Sequence, residues 1–375
     1  MAALSGCVAA EPRAPVTMSV RAVEPEDPAT FWAAEEIADW PLERKLARLL
    51  MVHRSGTNPE TLRSFVAKWQ PGGFVLMGDN IASSDAGVRR TTQGILSGSD
   101  RVPVLIAIDQ EGGLVARLHD SWDTDPRNLR NKSAAAVEKA VGKRAARLAD
   151  LGISINFGIV ADVSADPGAF IAPRVLGTTP SKSAARVAAA VRGEQQYIAS
   201  TVKHFPGHGA ALGDSHVSIP TTSMSKSRWR ESHALPFIAA IEADVRVIMT
   251  GHLRYSAVSK RPASLSPEWH QILRDELGYD GLVITDDMLM LQRSGVAEYS
   301  DGVKNARMAL NAGADMLLFV LGDSAARSNG LTVNRLIQGL VKEVEAGRLD
   351  ETVVDERLIR VVSFAKRDAF LPSVQ

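Results

Sequence analysis

The chain has 375 residues, 45% hydrophobic and 23% charged, a balance ordinary for a globular enzyme. Lysine plus arginine and aspartate plus glutamate each number 43, so no net field selects nucleic acid or an anionic membrane. No apolar run approaches the ~20 residues of a membrane span, and the single cysteine excludes an internal disulfide and a cysteine-based metal cage.

At the start, Leu4-Ser5-Gly6-Cys7 resembles the bacterial lipobox, whose cysteine is lipidated after signal cleavage. Only six residues precede Cys7, too few for the basic and apolar regions of a signal peptide, so either the start is truncated or the match is chance. Residues 8 to 30, rich in Pro, Glu, Ala and Val, read as a tether. Residues 1–30 are therefore expected to be the remnant of a lipoprotein signal with its tether, and residues 31–370 one folded domain. The expected location is extracytoplasmic, anchored through Cys7 or secreted, with a cytoplasmic protein as the alternative.

From Phe31 onward, short apolar segments alternate with amphipathic ones. The predicted strands are Leu49–His53, Phe74–Met77, Val104–Ile108, Ile153–Phe157, Thr201–Lys203, Arg246–Thr250, Leu282–Thr285 and Met316–Val320. Between them, helical spacing of apolar residues predicts helices over Ala134–Leu151, Ser183–Ile198, Trp229–Ala243, Pro267–Leu277 and Asp301–Ala312. Eight strand-then-helix units point to an α/β fold, a (β/α)8 TIM barrel of one domain. A doubly wound open sheet is the alternative, but no glycine-rich phosphate turn follows any strand.

Barrels of this kind carry their active sites at the C-terminal ends of the strands, so polar residues should gather there. Asp109-Gln110-Glu111, Asp162, Lys203-His204, His252 and Asp286-Asp287 all follow or end predicted strands. The densest run is Lys203-His204-Phe205-Pro206-Gly207-His208-Gly209, followed by Asp214-Ser215-His216. Pro206 and Gly207 break regular structure there, and the segment reads as an active-site loop instead of a helix or a continuing strand. Along Leu282–Asp287, strand alternation puts Leu282, Ile284 and Asp286 on one face and turns Asp287 away from it.

Together these motifs resemble glycoside hydrolase family 3, and within it the single-domain β-N-acetylglucosaminidases (β-hexosaminidases). The matching pieces are Ile108-Asp109-Gln110-Glu111-Gly112-Gly113 with Arg117, the Lys203–Gly209 segment with Asp214-Ser215-His216, and Met249-Thr250-Gly251-His252. Pro262-Ala263-Ser264-Leu265-Ser266 and Ile284-Thr285-Asp286-Asp287-Met288 complete an ordered set over residues 45 to 365. The resemblance implies a retaining mechanism through a covalent glycosyl–enzyme, with Asp286 as nucleophile. It implies that His216, paired with Asp214, is the acid and base in place of a second carboxyl group. Asp109, Arg117, Lys203 and His204 match its sugar-binding positions, while His208 and His252 stay open between sugar contact and framework.

The substrate so implied is a glycan with terminal β-linked N-acetylglucosamine, expected to be a peptidoglycan fragment. No metal or organic cofactor is implied, and a monomer is expected. One departure stands out. Where the family's loop after the fourth strand reads Ile/Leu-Gly-x-Arg-Ser-Phe, this chain reads Leu176-Gly177-Thr178-Thr179-Pro180, with Thr179 in the arginine's place. Arg174, nearby in the same loop, is expected to reach in instead.

Other readings remain open at this stage. A metal hydrolase could draw ligands from His204, His208, Asp214 and His216, although Pro206-Gly207 prevents the helix that would align the first two. A lipid-anchored, non-catalytic sugar-binding protein, a β-glycosidase of altered specificity, or a glycoside phosphorylase could use the same barrel.

Overall fold

The computed structural model describes residues 27–118, 124–322 and 326–368. Cys7 and most of the predicted tether lie outside the described residues. Eight parallel strands form one sheet: β1 (Leu50–Val52), β2 (Gly73–Leu76), β3 (Leu105–Ile108), β4 (Ile155–Val160), β5 (Ala199–Phe205), β6 (Val247–Thr250), β7 (Leu282–Thr285) and β8 (Leu317–Phe319). Each of the eight is buried at every position, as expected of parallel strands covered by helices on one side and barrel core on the other.

Closure comes from β8, which pairs with β1 in register Leu50↔Leu317, Met51↔Leu318 and Val52↔Phe319. The join between β7 and β8 is thinner: one parallel bridge, Ile284↔Met316, made by Thr285 N–H donating to the Met316 carbonyl and Met316 N–H to the Val283 carbonyl, both at 3.1 Å. Leu318 N–H donates to Thr285 Oγ1 at 3.1 Å, and Met288 N–H to the Leu318 carbonyl at 2.9 Å. The result is the (β/α)8 barrel that the sequence predicts.

The outer helices start where side chains can cap them. Ser84 Oγ accepts from Gly87 N–H at 3.2 Å, Ser133 Oγ from Ala136 N–H at 3.3 Å, and Thr332 Oγ1 from Arg335 N–H at 3.1 Å. The helix Pro28–Ile37 packs on the helix Glu351–Asp368, and the predicted domain start at residue 31 falls inside it.

Two predicted elements differ. Trp229–Ala243 is not one helix but two, Lys226–Arg230 and Leu235–Glu242, because Pro236 cannot continue a helix from the preceding turn and opens a new one. Pro267–Leu277 begins as an α-helix to Gln271 and widens to a π-helical turn over Ile272–Glu276.

The fifth strand matters most for the site. It runs through Lys203, His204 and Phe205, two residues beyond its predicted end, before Pro206 and Gly207 stop it. The Lys203–His204 and Phe205–Pro206 peptides are both cis. Register shifts between Asn156 and Ile159 on β4, and between Val202 and Phe205 on β5, mark a bulged stretch beside the site. Gly158 lies in it, where a Cβ would come within 2.1 Å of Asn156 Nδ2.

Candidate active site

A cavity of about 440 Å³ lies at the C-terminal ends of the strands, and Asp109, Arg117, Lys203, His204, His216 and Asp286 all line it. Its floor is an ion network. Lys203 Nζ lies 2.8 Å from Asp109 Oδ1 and 2.8 Å from Glu111 Oε1. Arg117 donates to Asp109 Oδ2 at 3.2 Å. Arg174 grips Glu111 with both arms, Nε to Oε2 at 2.9 Å and a terminal nitrogen to Oε1 at 2.7 Å. Burial pushes the Glu111 carboxyl up, but the Arg174 and Lys203 charges outweigh it and hold the group well below the usual carboxylate range. The same carboxylates hold Lys203 above its ordinary value against burial.

His204 is oriented from both sides. Its Nδ1 lies 2.7 Å from Asp162 Oδ2, and its Nε2 is 3.3 Å from an Arg174 nitrogen and 4.0 Å from Asp286 Oδ2. With Nδ1–H donated to Asp162, the Nε2 lone pair can accept from Arg174, so the two contacts favour one tautomer.

Asp286 follows β7 directly, held by its own N–H donating to the Thr250 carbonyl at 2.9 Å. Its Oδ1 accepts the Asp287 N–H at 2.8 Å, which leaves Oδ2 free toward the cavity. Burial would raise this carboxyl, yet His204, His252, Lys203 and the Asp287 N–H together lower it to about 2. His252 is itself made less basic by burial. The Lys203 ammonium and the peptide N–H are the two contributions that do not depend on the charge of a histidine. Asp287 turns its Oδ1 to the N–H groups of Leu289 at 3.2 Å and Val320 at 3.0 Å, bracing the loops after β7 and β8. Burial pushes the Asp287 carboxyl up to about 6 despite those donors.

The flap between Gly207 and Ser218 carries the dyad. His216 Nδ1 lies 2.6 Å from Asp214 Oδ1, which also accepts the His216 N–H at 2.9 Å. Asp214 is not on the cavity wall but stands behind the imidazole, whose Nε2 has no hydrogen-bond partner among the described residues. The contacts with His216 outweigh partial burial and lower the Asp214 carboxyl. The flap root is fixed by the aromatic cluster beneath it: Trp229 Nε1 donates to the Pro206 carbonyl at 2.7 Å and Tyr255 to the Gly207 carbonyl at 2.8 Å.

The two open histidines differ. His252 is a framework residue, bonded through Nδ1 to Ser264 Oγ at 2.7 Å and through Nε2 to the Asp287 carbonyl at 2.9 Å. His208 lines the cavity and meets Ser215 Oγ at 3.1 Å, while burial lowers it to about 4 and keeps it neutral. His204, His208 and His216 thus aim at three separate partners. Among the described residues no group of three or more His, Cys, Asp or Glu surrounds a common point suited to a metal ion.

Thr179 is outside the cavity, at the N-terminus of the helix Pro180–Glu194, whereas Arg174 is on the cavity wall. Two functional positions escaped assignment. Glu111 and Asp162 are fully buried anchors of the cationic side chains, and their only signal was their place after strand ends.

Known proteins resemble this chain in both sequence and fold. Residues 41–364 match the Glycosyl hydrolase family 3 N terminal domain. The chain is 33% identical over 264 residues to the beta-hexosaminidase of Methylococcus capsulatus, covering 68% of this chain and 77% of that protein. Against the beta-hexosaminidase of Pseudomonas aeruginosa it is 34% identical over 261 residues, covering 68% and 76%. A glycoside hydrolase family 3 beta-N-acetylglucosaminidase from Paenibacillus superposes with a TM-score of 0.79 at 33% identity, covering 88% of this chain. This chain spans only 63% of that structure's length. A β-N-acetylhexosaminidase from Beutenbergia cavernae superposes with a TM-score of 0.75 at 25% identity, covering 88% of this chain and 99% of its own. With its barrel, its strand-end carboxylates and a match across most of its length, this chain belongs to glycosyl hydrolase family 3.

Proposed function

We propose that the chain is a retaining β-N-acetylglucosaminidase acting on peptidoglycan fragments. One observation carries the reading: an ionised aspartate with a free oxygen and a flap-borne imidazole backed by a carboxylate face one cavity whose floor is already charge-paired.

In the first half-reaction Asp286 Oδ2 attacks the anomeric carbon as the bond to the leaving oxygen breaks, and His216 gives that oxygen its Nε2 proton. Asp214 holds the ring through Nδ1, so that Nε2 is the nitrogen presented to the leaving oxygen. In the second half, water attacks the anomeric carbon, neutral His216 takes its proton, and the bond to Asp286 breaks. Asp109, Arg117, Lys203 and His204 hold the ring hydroxyls, and Arg174 supplies the cation that Thr179 does not. The β-hexosaminidase relatives support the N-acetylglucosaminyl choice.

Chromogenic β-glycosides with and without the N-acetyl group test the reading directly. The N-acetylglucosaminide is expected to turn over, and His216→Ala to slow a poor leaving group by about 10²–10⁴-fold. A fluorinated glycoside should label Asp286; a chain that binds sugar without labelling is a binder and not an enzyme. Glycosyl phosphate appearing in phosphate buffer would move the reading to a phosphorylase. For the location, we propose anchorage through Cys7. Membrane fractions should then contain the wild type and lose the Cys7→Ser form.

A further inference from the structure

The loop after β4 carries a phenylalanine that packing does not explain. Phe170 is 38% exposed and belongs to none of the buried apolar clusters, although Ile171 beside it is fully buried. A large apolar side chain left half in water on a loop contributes little to the core. Its neighbours are imidazoles. The ring stands 5.6 Å from that of His216, edge to face at 72°, and 5.9 Å from that of His208. It also lines the cavity.

The loop around it meets the flap root at two further points and the end of β3 at a third. Asp162 Oδ1 accepts the His208 N–H. Gly209 lies so close to Val163 that a Cβ there would sit 1.9 Å from the Val163 carbonyl oxygen. On the far side of Phe170, Arg174 ties the loop to Glu111. The β4 loop is therefore a cradle for the flap root, and Phe170 is the aromatic side chain with which that cradle meets the ring of His216. Among the described residues, the other partner of that ring is Asp214 two residues away on the same flap, and the His216 side chain is 58% exposed. An aromatic face also attracts an imidazolium more than a neutral imidazole.

We propose that Phe170 is a positioning residue for the general acid, holding the His216 ring over the leaving oxygen when the flap lies on the β4 loop. This rests on the reading of His216 as the acid. The consequence is selective. A leaving group that departs as a stable anion needs no proton, whereas an alkoxide does, so misplacing the acid harms only the second kind.

The test compares kcat/KM of the wild type, Phe170→Ala, Phe170→Leu and Phe170→Tyr on two N-acetylglucosaminides, one with a 2,4-dinitrophenyl and one with an alkyl or sugar leaving group. Phe170→Ala and Phe170→Leu are expected to lose roughly tenfold on the poor leaving group and much less on the good one, with Phe170→Tyr restoring the rate. Phe170→Leu keeps the apolar bulk and is read in the same way should Phe170→Ala fold poorly. Equal losses on both substrates, or none on either, would overturn the proposal. A wild type that hydrolyses neither substrate would instead remove the functional reading on which it stands.

Discussion

Arg174 and Glu111 form a two-armed ion pair beneath the sugar site, with distances of 2.9 and 2.7 Å, and the carboxylate is wholly buried. The pair matters because Glu111 has no route to water: its charge is tolerated only while Arg174 and Lys203 face it. Arg174 also reaches His204, so one guanidinium fixes two residues that line or support the cavity.

Arg174→Ala is therefore expected to weaken sugar binding and to destabilise the fold by about 1.5–3 kcal/mol, since a buried carboxylate loses its principal partner. Arg174→Lys should recover only part of either loss, because an ammonium cannot reproduce the fork. Ligand titration and thermal melting measure the two effects. Unchanged sugar affinity in Arg174→Ala would end its substitute role for the missing loop arginine.

His204, His252 and Lys203 outweigh burial and hold the Asp286 carboxyl down at about 2 against its ordinary 3.8, so the proposed nucleophile stays ionised well into acid. Its stabilising contribution is complete above 3.8 and lost only as pH falls toward about 2. With a dinitrophenyl leaving group, kcat/KM, which ends at formation of the glycosyl–enzyme and needs no general acid, is expected to show no acid limb down to about pH 4 while circular dichroism shows the fold intact. Asp286→Asn should abolish turnover and keep ligand binding. An Asn variant with near-normal turnover would reject the nucleophile.

Asp287 behaves in the opposite sense. Its folded value near 6 exceeds the ordinary 3.8, so the fold favours the neutral acid. The contribution to stability is full below 3.8 and is lost as pH rises through about 6. Asn can accept the same two N–H groups without a charge. The wild type should thus gain melting temperature relative to Asp287→Asn between pH 7.5 and 4.5, by a few degrees, roughly 2–4 °C per kcal/mol. A gap that does not move with pH would contradict the burial argument.

Gly209→Ala probes the flap root without touching a titrating group. The new methyl would meet the Val163 backbone, which cannot yield cheaply. A displacement near 1 Å of the flap is expected to cost about 10²-fold in kcat/KM with little change in melting. Gly78→Ala, where the added carbon meets nothing within 4 Å, serves as the control.

The barrel was legible because buried parallel strands read as apolar runs, and all eight predicted strands are present. The helix Asp85–Leu96 was not assigned: Gly87, Gly94 and the Thr91-Thr92 pair are weak helix formers, and its stability comes from the Ser84 cap and buried Val88 and Ile95. Val333–Glu345, by contrast, is clearly amphipathic and its signal was there to be used. Within the site, strand alternation alone set the face of Asp286, whereas the pairing of Asp214 with His216 came from the family resemblance. The partnership of Glu111 with residues 63 and 92 positions away follows from neither, because only the side-by-side pairing of β3, β4 and β5 brings their three ends together. Strand β5 continuing through His204 was equally hidden, since the Pro206-Gly207 break looks the same whether it ends a loop or a strand.

The join between the seventh and eighth strands is held by a single bridge and by bonds that link Leu318 to Thr285 and Met288, which flank the proposed nucleophile Asp286 in sequence. Ring closure and reactivity thus share one mechanical joint. Loosening the last strand would let the attacking oxygen wander before the barrel as a whole came apart, so inactivation on heating should precede global unfolding.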